Sequence, residues 1–327
     1  MAYAPAGNTT LGLAHLQSEA IRRKALSRLQ KKFRFRDLCV EDQLGMREGR
    51  TAVWFRYANL AAGTTPSTEG AVGTSLTMTS TKVAATVSEF SNFISVSTLR
   101  EETAPDPQLE AAGTLLGYRG GLSVDNITRA AIDAESSNTN QSPIATYLRV
   151  SDIRAAVHTL QAIDVEPFED GEFKVLTSPY NSYDLVSDPA ANGLADIFKY
   201  TTPQKANLVS RDDRGVVTHV AGAKVIESTN VYSSTSPNKW RTYIFGNGAF
   251  GCLTLAGAAP AKVTDPSKEN FNIKVVKGGV PSGFDPEGMI GGWVSYRYLY
   301  SALWLDGPTG IGGSFRAKTI DAQSTIA

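Results

Sequence analysis

The chain has 327 residues, a length between one large unit and two domains, and 42% of them are hydrophobic, enough apolar material for a core. Its 32 Lys+Arg balance 32 Asp+Glu, which weighs against a dedicated nucleic-acid binder and leaves little repulsion between copies. No run of about 18 apolar residues occurs, so no membrane span is expected, and the opening Met1-Ala2-Tyr3-Ala4-Pro5 lacks a basic-then-apolar leader, which points to a soluble cytoplasmic product.

Residues 1–10 are small and polar. From about Leu11 to Phe35 the pattern turns helical, with Leu13, Leu16 and Ala20, then Ala25, Leu29 and Phe33, at three- and four-residue steps. The second half carries Arg22, Arg23, Lys24, Arg28, Lys31, Lys32, Arg34 and Arg36, with no acid between Arg22 and Arg36. Such a run is either an arm against an acidic partner or packaged DNA, or an amphipathic helix with a solvated face.

The stretch 50–100 is the most informative. Thr51 to Tyr57 (TAVWFRY) is β-branched and aromatic and reads as a strand. A turn-rich segment follows, with Gly63, Pro66, Gly70 and Gly73. Leu76 to Val87 alternates apolar residues with threonine and serine, and Phe90 to Leu99 continues extended. The whole reads as a long hairpin, with arms of about 12 residues reaching about 40 Å. A ribbon with so little apolar surface is marginal alone in water, so it is expected to lie on a neighbouring subunit.

Pro105-Asp106-Pro107 marks a helix start, and Leu109, Ala112, Leu116, Ile127, Ala131 and Ala134 carry the helical spacing to about Glu135. Gly113, Gly117, Gly120 and Gly121 imply either close packing against another element or a break near Gly120. Ser136 to Ser142 is a loop. Ser151 to Ile163 reads as a helix and Phe173 to Leu176 as a strand, with helical turns at 178–188 and 192–200. Val216 to Ile226, Thr242 to Phe245, Gly251 to Leu255 and Asn272 to Val276 read as strands. Trp293 to Leu305 is a long buried strand, followed by Phe315 to Thr319 as an edge.

Little in this sequence suggests chemistry. Cys39 and Cys252 lack CxxC spacing and are expected as free thiols, buried or half-buried, in a reducing compartment. His15, His158 and His219 show no metal spacing. Gly246, Gly248 and Gly251 spell GxGxxG, but a strand follows them, so no helix N-terminus is available to a phosphate and a turn between strands is expected. The pairs Glu101-Glu102 and Asp212-Asp213 read as solvated surface rather than as metal or acid–base groups. No constellation points to a reaction and no cofactor is implied, so the chain is read as not an enzyme.

Several local motifs carry a resemblance. Phe55-Arg56-Tyr57 precedes a threonine-rich turn containing Thr68-Glu69-Gly70. Phe173 to Pro179 (FKVLTSP) is followed by Tyr183-Asp184-Leu185 and Asp188, and Val220 to Asn230 holds a Gly-x5-Ser-x-Asn pattern. Phe245-Gly246 with Ala249-Phe250-Gly251 completes the set. In order and spacing, over about residues 45–305, these resemble major capsid proteins of tailed bacteriophages, in particular the family typified by phage N-four. The pattern departs at Ser178, where that family more usually has His.

The resemblance implies an α+β chain of the Hong Kong 97 type. It implies an N-terminal arm (1–45), an extended loop hairpin with its return strand (46–100), a peripheral domain with a long spine helix (101–144 and 261–327) and an axial α/β domain (145–260). Function would be self-assembly into hexamers and pentamers of an icosahedral head enclosing double-stranded DNA, in virions assembled in the bacterial cytoplasm. Partners would be copies of itself, a portal protein, possible scaffolding and decoration proteins, and packaged DNA held non-specifically. Trp54, Arg56, Glu69, Lys82, Arg100, Glu101 and Glu102 are the expected inter-subunit contacts. Arg22, Arg23, Lys24, Arg28, Lys31 and Lys32 are the expected basic residues of the arm or inner surface. Lys82 is the only lysine of the hairpin and is read as solvated rather than cross-linked. A β-rich decoration or tail protein is the alternative, and it would lack the long helix.

Overall fold

The computed structural model describes residues 10–30, 33–45, 47–57, 60, 62–64, 66, 69–70, 72–73, 75–134, 147–187, 216–220, 222–235, 238–255, 271–277, 290–305 and 316–324. The expected turn at 192–200 and the pair Asp212-Asp213 lie outside these residues. No helix among the described residues is long and apolar enough to cross a membrane.

The chain opens with α1 (Thr10–Gln30), a 3-10 turn (Arg36–Leu38) and β1 (Val40–Leu44). Next come β2 (Thr51–Tyr57), β3 (Ser80–Thr86), β4 (Ser88–Ser97) and the short α2 (Thr98–Thr103). The spine helix α3 runs unbroken over Gln108–Ala134, 27 residues, or about 40 Å. Then follow α4 (Val150–Ala162), β5 (Phe173–Thr177), α5 (Pro179–Ser187), β6 (Val216–Val220), β7 (Ala223–Glu227), β8 (Ser233–Thr235) and β9 (Asn238–Phe245). The last strands are β10 (Phe250–Leu255), β11 (Phe271–Lys277), β12 (Ile290–Trp304) and β13 (Ala317–Ala322).

Two sheets organise these elements. The first is built on β12, which pairs antiparallel with β4, β11 and β10, while β1 adds to β10 in parallel. Alternation along β12 points Val294, Tyr296, Tyr298 and Tyr300 to one face, where Leu109, Ala112, Leu116 and Val124 of α3 cover them. α1 lies on α3 through Ile21, Ala25, Leu26 and Leu29. The glycines of α3 make that approach possible. A Cβ on Gly117 would stand 2.2 Å from the Ala25 carbonyl oxygen, and one on Gly113 would stand 2.5 Å from the Ile21 side chain. Close packing, rather than a break at Gly120, is therefore what these residues provide.

The second sheet has the order β13-β9-β5-β7-β6, with β8 on β9. Its core joins Ile153, Val157 and Leu160 of α4 to Val175, Val225, Ile244 and Ile320. The expected single strand over 216–226 is two antiparallel strands, because Gly222 takes φ +78° and turns the chain back. Gly246-Asn247-Gly248 is a turn between β9 and β10, with Gly248 at φ +72°.

The structure corrects three expectations. The 145–260 and 261–327 division does not follow the sheets: β10 belongs to the β12 sheet, and β13 pairs along β9 in the other. The turn after β9 carries the chain from one sheet to the next, and β13, with Ala317, Thr319, Ile320 and Ala322 buried, pairs along the edge of β9. The arm is also not a free segment in its described part: α1 joins the spine-helix core and β1 joins a sheet. Third, Cys39 and Cys252 are not free thiols but form a disulfide. The parallel pairing of β1 with β10 brings them together across a separation of 213 residues, which spacing along the chain cannot reveal.

Candidate inter-subunit surfaces

β2 and β3 form a separate two-stranded ribbon, in register from Thr51↔Thr86 to Tyr57↔Ser80. Each strand has seven residues, or about 23 Å, shorter than the expected arms. The described residues between the strands form none. Period-two alternation gives the ribbon two unlike faces. On one, Ala52 and Ala85 are buried against Leu253, with Trp54, Leu299 and Leu303 packed beside them. This face seats the root of the ribbon on its own sheet. On the other, Val53, Phe55 and Tyr57 are 42%, 64% and 56% exposed. Leu60, Val72, Leu76 and Met78 are exposed beyond them. An apolar stripe of this kind is a candidate contact surface.

The expected contact residues fall unevenly around this stripe. Trp54 is on the inward face and half-buried, so its ring serves the root. Lys82 is exposed and stands opposite Phe55 on the outward face. Glu69 is exposed in the turn segment, and the side chain of Arg56 lies outside the described residues. Arg100, Glu101 and Glu102 sit on α2, where the Ser97 hydroxyl caps the helix by accepting from the Arg100 amide at 3.4 Å. Glu101 is half-buried, its carboxylate filling the space a side chain on Gly291 would need, and Glu102 is exposed. Arg100 edges an apolar groove of about 530 Å³ between β4 and α3, lined by Ile94, Val96, Ala112, Leu115 and Ile290.

The basic residues of the arm are largely engaged within the chain. Arg22 is mostly covered and lies 3.7 Å from Glu19, as does the exposed Arg23. Lys24 pairs with Glu110 of α3, and the Arg28 guanidinium lies 5.8 Å from the centre of the Tyr118 ring. Lys31 and Lys32 lie outside the described residues.

Spacing gave no hint of the polar junction between the two sheets. Asp125 on α3 accepts hydrogen bonds from the amides of Arg34 (2.9 Å) and Phe35 (2.7 Å) and from Asn230 Nδ2 (3.0 Å). Burial raises its pKa, against the pull of these donors. Two turns on, Asp133 accepts from Arg241 Nη1 (3.0 Å) and from the Tyr243 hydroxyl (2.7 Å). Arg241 also grips Asp321 of β13 with two hydrogen bonds, 2.7 and 3.0 Å long. One end of the spine helix is thereby tied to β9 and β13. No signal in the sequence marks Asp125 or Asp133 apart from ordinary helix-surface acids.

Elsewhere, His219 lies 2.9 Å from Glu172 on an exposed edge, and His158 is exposed on α4. Ser178 accepts from the Asn181 amide at 3.0 Å and so caps α5. Among the described residues, no three His, Cys, Asp or Glu side chains gather as metal ligands.

No family model and no curated protein sequence matches this chain. Solved structures do. The capsid of Ralstonia phage GP4 superimposes with a TM-score of 0.67 at 10% identity, over 88% of this chain and 87% of that one. The capsid of cyanophage P-SCSP1u gives 0.56 at 13% identity, over 89% and 88%. The mature capsid of bacteriophage PhiM1 gives 0.55 at 13% identity, over 89% and 87%. At such identities what is shared is the fold. The chain has the Hong Kong 97-type capsid fold.

Proposed function

We propose that this chain is the major capsid protein of a tailed bacteriophage, assembling into hexamers and pentamers of an icosahedral head around double-stranded DNA. The observation that carries the reading is the ribbon. Its root is fixed on its own sheet, yet Val53, Phe55 and Tyr57 face outward and are exposed among the described residues. A second copy is the natural cover, because in a closed shell the same surface recurs on every subunit. The ribbon of one copy overlies the peripheral unit of the next, with Lys82, Glu69, Arg100 and Glu102 at the margins of the contact. Each contact is modest and the shell is held by their number.

The domain assignment follows the sheets: a peripheral unit of α1, α3 and the β12 sheet, and an axial unit of α4 and the β9 sheet. The role is structural rather than catalytic. Portal, scaffolding and decoration proteins are the expected partners, and exposed Arg23 suits an inner face toward DNA. The test is direct: express the full chain alone and with candidate scaffolds, then examine it by sedimentation and negative-stain microscopy. Shells or capsomers are the expected result. A strictly monomeric protein under every assembly condition overturns the reading.

A further inference from the structure

The disulfide plays no part in the surfaces described above. Cys39 follows the 3-10 turn and is half-buried; Cys252 lies on β10 and is fully buried. Their Cα atoms are 5.8 Å apart, a separation that a disulfide spans without backbone movement. β1 has few other anchors. Val40, Glu41, Asp42 and Gln43 are exposed and only Leu44 is half-buried. Besides its ladder to β10, the strand is held by an ion pair from buried Arg36 to Glu41 at 3.1 Å and by a hydrogen bond from Thr254 Oγ1 to the Asp42 carbonyl at 3.3 Å. The preceding segment is held quite differently, by buried Ala25, Leu29, Phe33 and Phe35 and by Asp125. β1 is therefore the part of this region whose attachment depends most on the covalent bond. It leads within a few residues into β2, the root of the ribbon.

We propose that Cys39–Cys252 is a redox clip, closed to pin β1 and the ribbon root, and opened by reduction to free them while the helix-covered core stays folded. Closure needs an oxidant, and a small disulfide such as oxidised glutathione supplies one. Cys39 is half-buried where Cys252 is fully buried, and so makes the first attack. Its thiolate attacks the external disulfide, expels one thiolate and leaves a mixed disulfide. The Cys252 thiolate then attacks the Cys39 sulfur and expels the second. Two electrons pass to the external disulfide, and the protons of the two cysteines end on the two thiols released. The Tyr300 hydroxyl, 2.8 Å from Cys252 Sγ, is placed to hydrogen-bond that buried sulfur. A reducing interior holds the clip open and an oxidising medium closes it. The clip belongs to the single chain and does not depend on shell formation.

The experiment equilibrates the full-length protein in oxidised and in reduced glutathione, counts reactive thiols and follows amide hydrogen exchange. Oxidised protein is expected to have none, and reduced protein both of its two cysteines. On reduction, amides of 40–44 and 251–255 should exchange at least about 10-fold faster, with those of 113–124 in α3 unchanged. Cys39→Ser should show the fast exchange in both buffers. Thiols that persist in the oxidising buffer overturn the proposal. So does exchange at 40–44 that ignores the redox state, or a speed-up spread evenly over the chain. The wild-type pair of buffers decides the matter even if the variant does not fold.

Discussion

At Asp125 a single carboxylate holds three donors from two distant segments. Because burial raises its pKa, the folded chain binds that proton more tightly than the unfolded chain. The stability linked to this proton is present below the ordinary carboxylate value, near about 4, and is lost as pH rises through the folded value. Asp125→Asn should flatten that slope, which urea denaturation midpoints measured across acidic pH will reveal. Asp125→Ala should lower stability by about 2–4 kcal/mol at neutral pH, since two backbone N–H groups and one amide lose their acceptor. At Arg241 the stakes are similar. Its guanidinium is mostly covered and serves both Asp133 and Asp321. Arg241→Ala takes both donors from Asp321 and leaves Asp133 with Tyr243 and Arg129, and should cost about 2–4 kcal/mol in the same assay. Arg241→Lys should fall between, because an ammonium cannot reproduce the two-pronged grip on Asp321.

Among the elements, the contact of α1 with α3 is set by a notch of glycines. In an exposed helix Gly→Ala stabilises by up to about 1 kcal/mol. At Gly117 the added methyl meets the backbone of Ala25, so Gly117→Ala should instead destabilise by about 1–3 kcal/mol. Thermal unfolding of the variant gives the sign, and a raised midpoint would refute the notch. The spine helix itself was legible from Leu109, Ala112 and Leu116, and β12 from its run of aromatic and β-branched residues, because periodicity is local. The glycines were ambiguous for a physical reason: packing and breaking use the same residue, and only the partner helix decides. The cysteine pairing and the placement of β13 were hidden likewise, since both depend on strands far apart in the sequence that meet in space. The ribbon was expected to lie on a neighbouring copy, and its inward face, which rests on the chain's own sheet, was missed. Alanines at 52 and 85 look weak in sequence and become buried only because Leu253 lies beneath them.

For the whole molecule, the outward stripe separates folding from assembly. Phe55→Asp with Tyr57→Asp adds charge at two side chains that stand mostly exposed among the described residues. The far-ultraviolet circular dichroism and the melting temperature should stay close to wild type, while sedimentation shows large particles lost or reduced at least about 10-fold. Wild-type particle yield from this double variant would remove the stripe from the assembly surface. The return of β13 to the sheet begun at Phe173 has a different kind of consequence. A ribosome must translate some seventy residues beyond Phe245 before β9 gains that neighbour. A chain halted before Ala317 therefore carries a bare ladder of amides and carbonyls along β9, open to any stray extended segment. Residues 317–322 thus act as a seal, and only a copy translated through them is closed against sticking to its siblings at the wrong place.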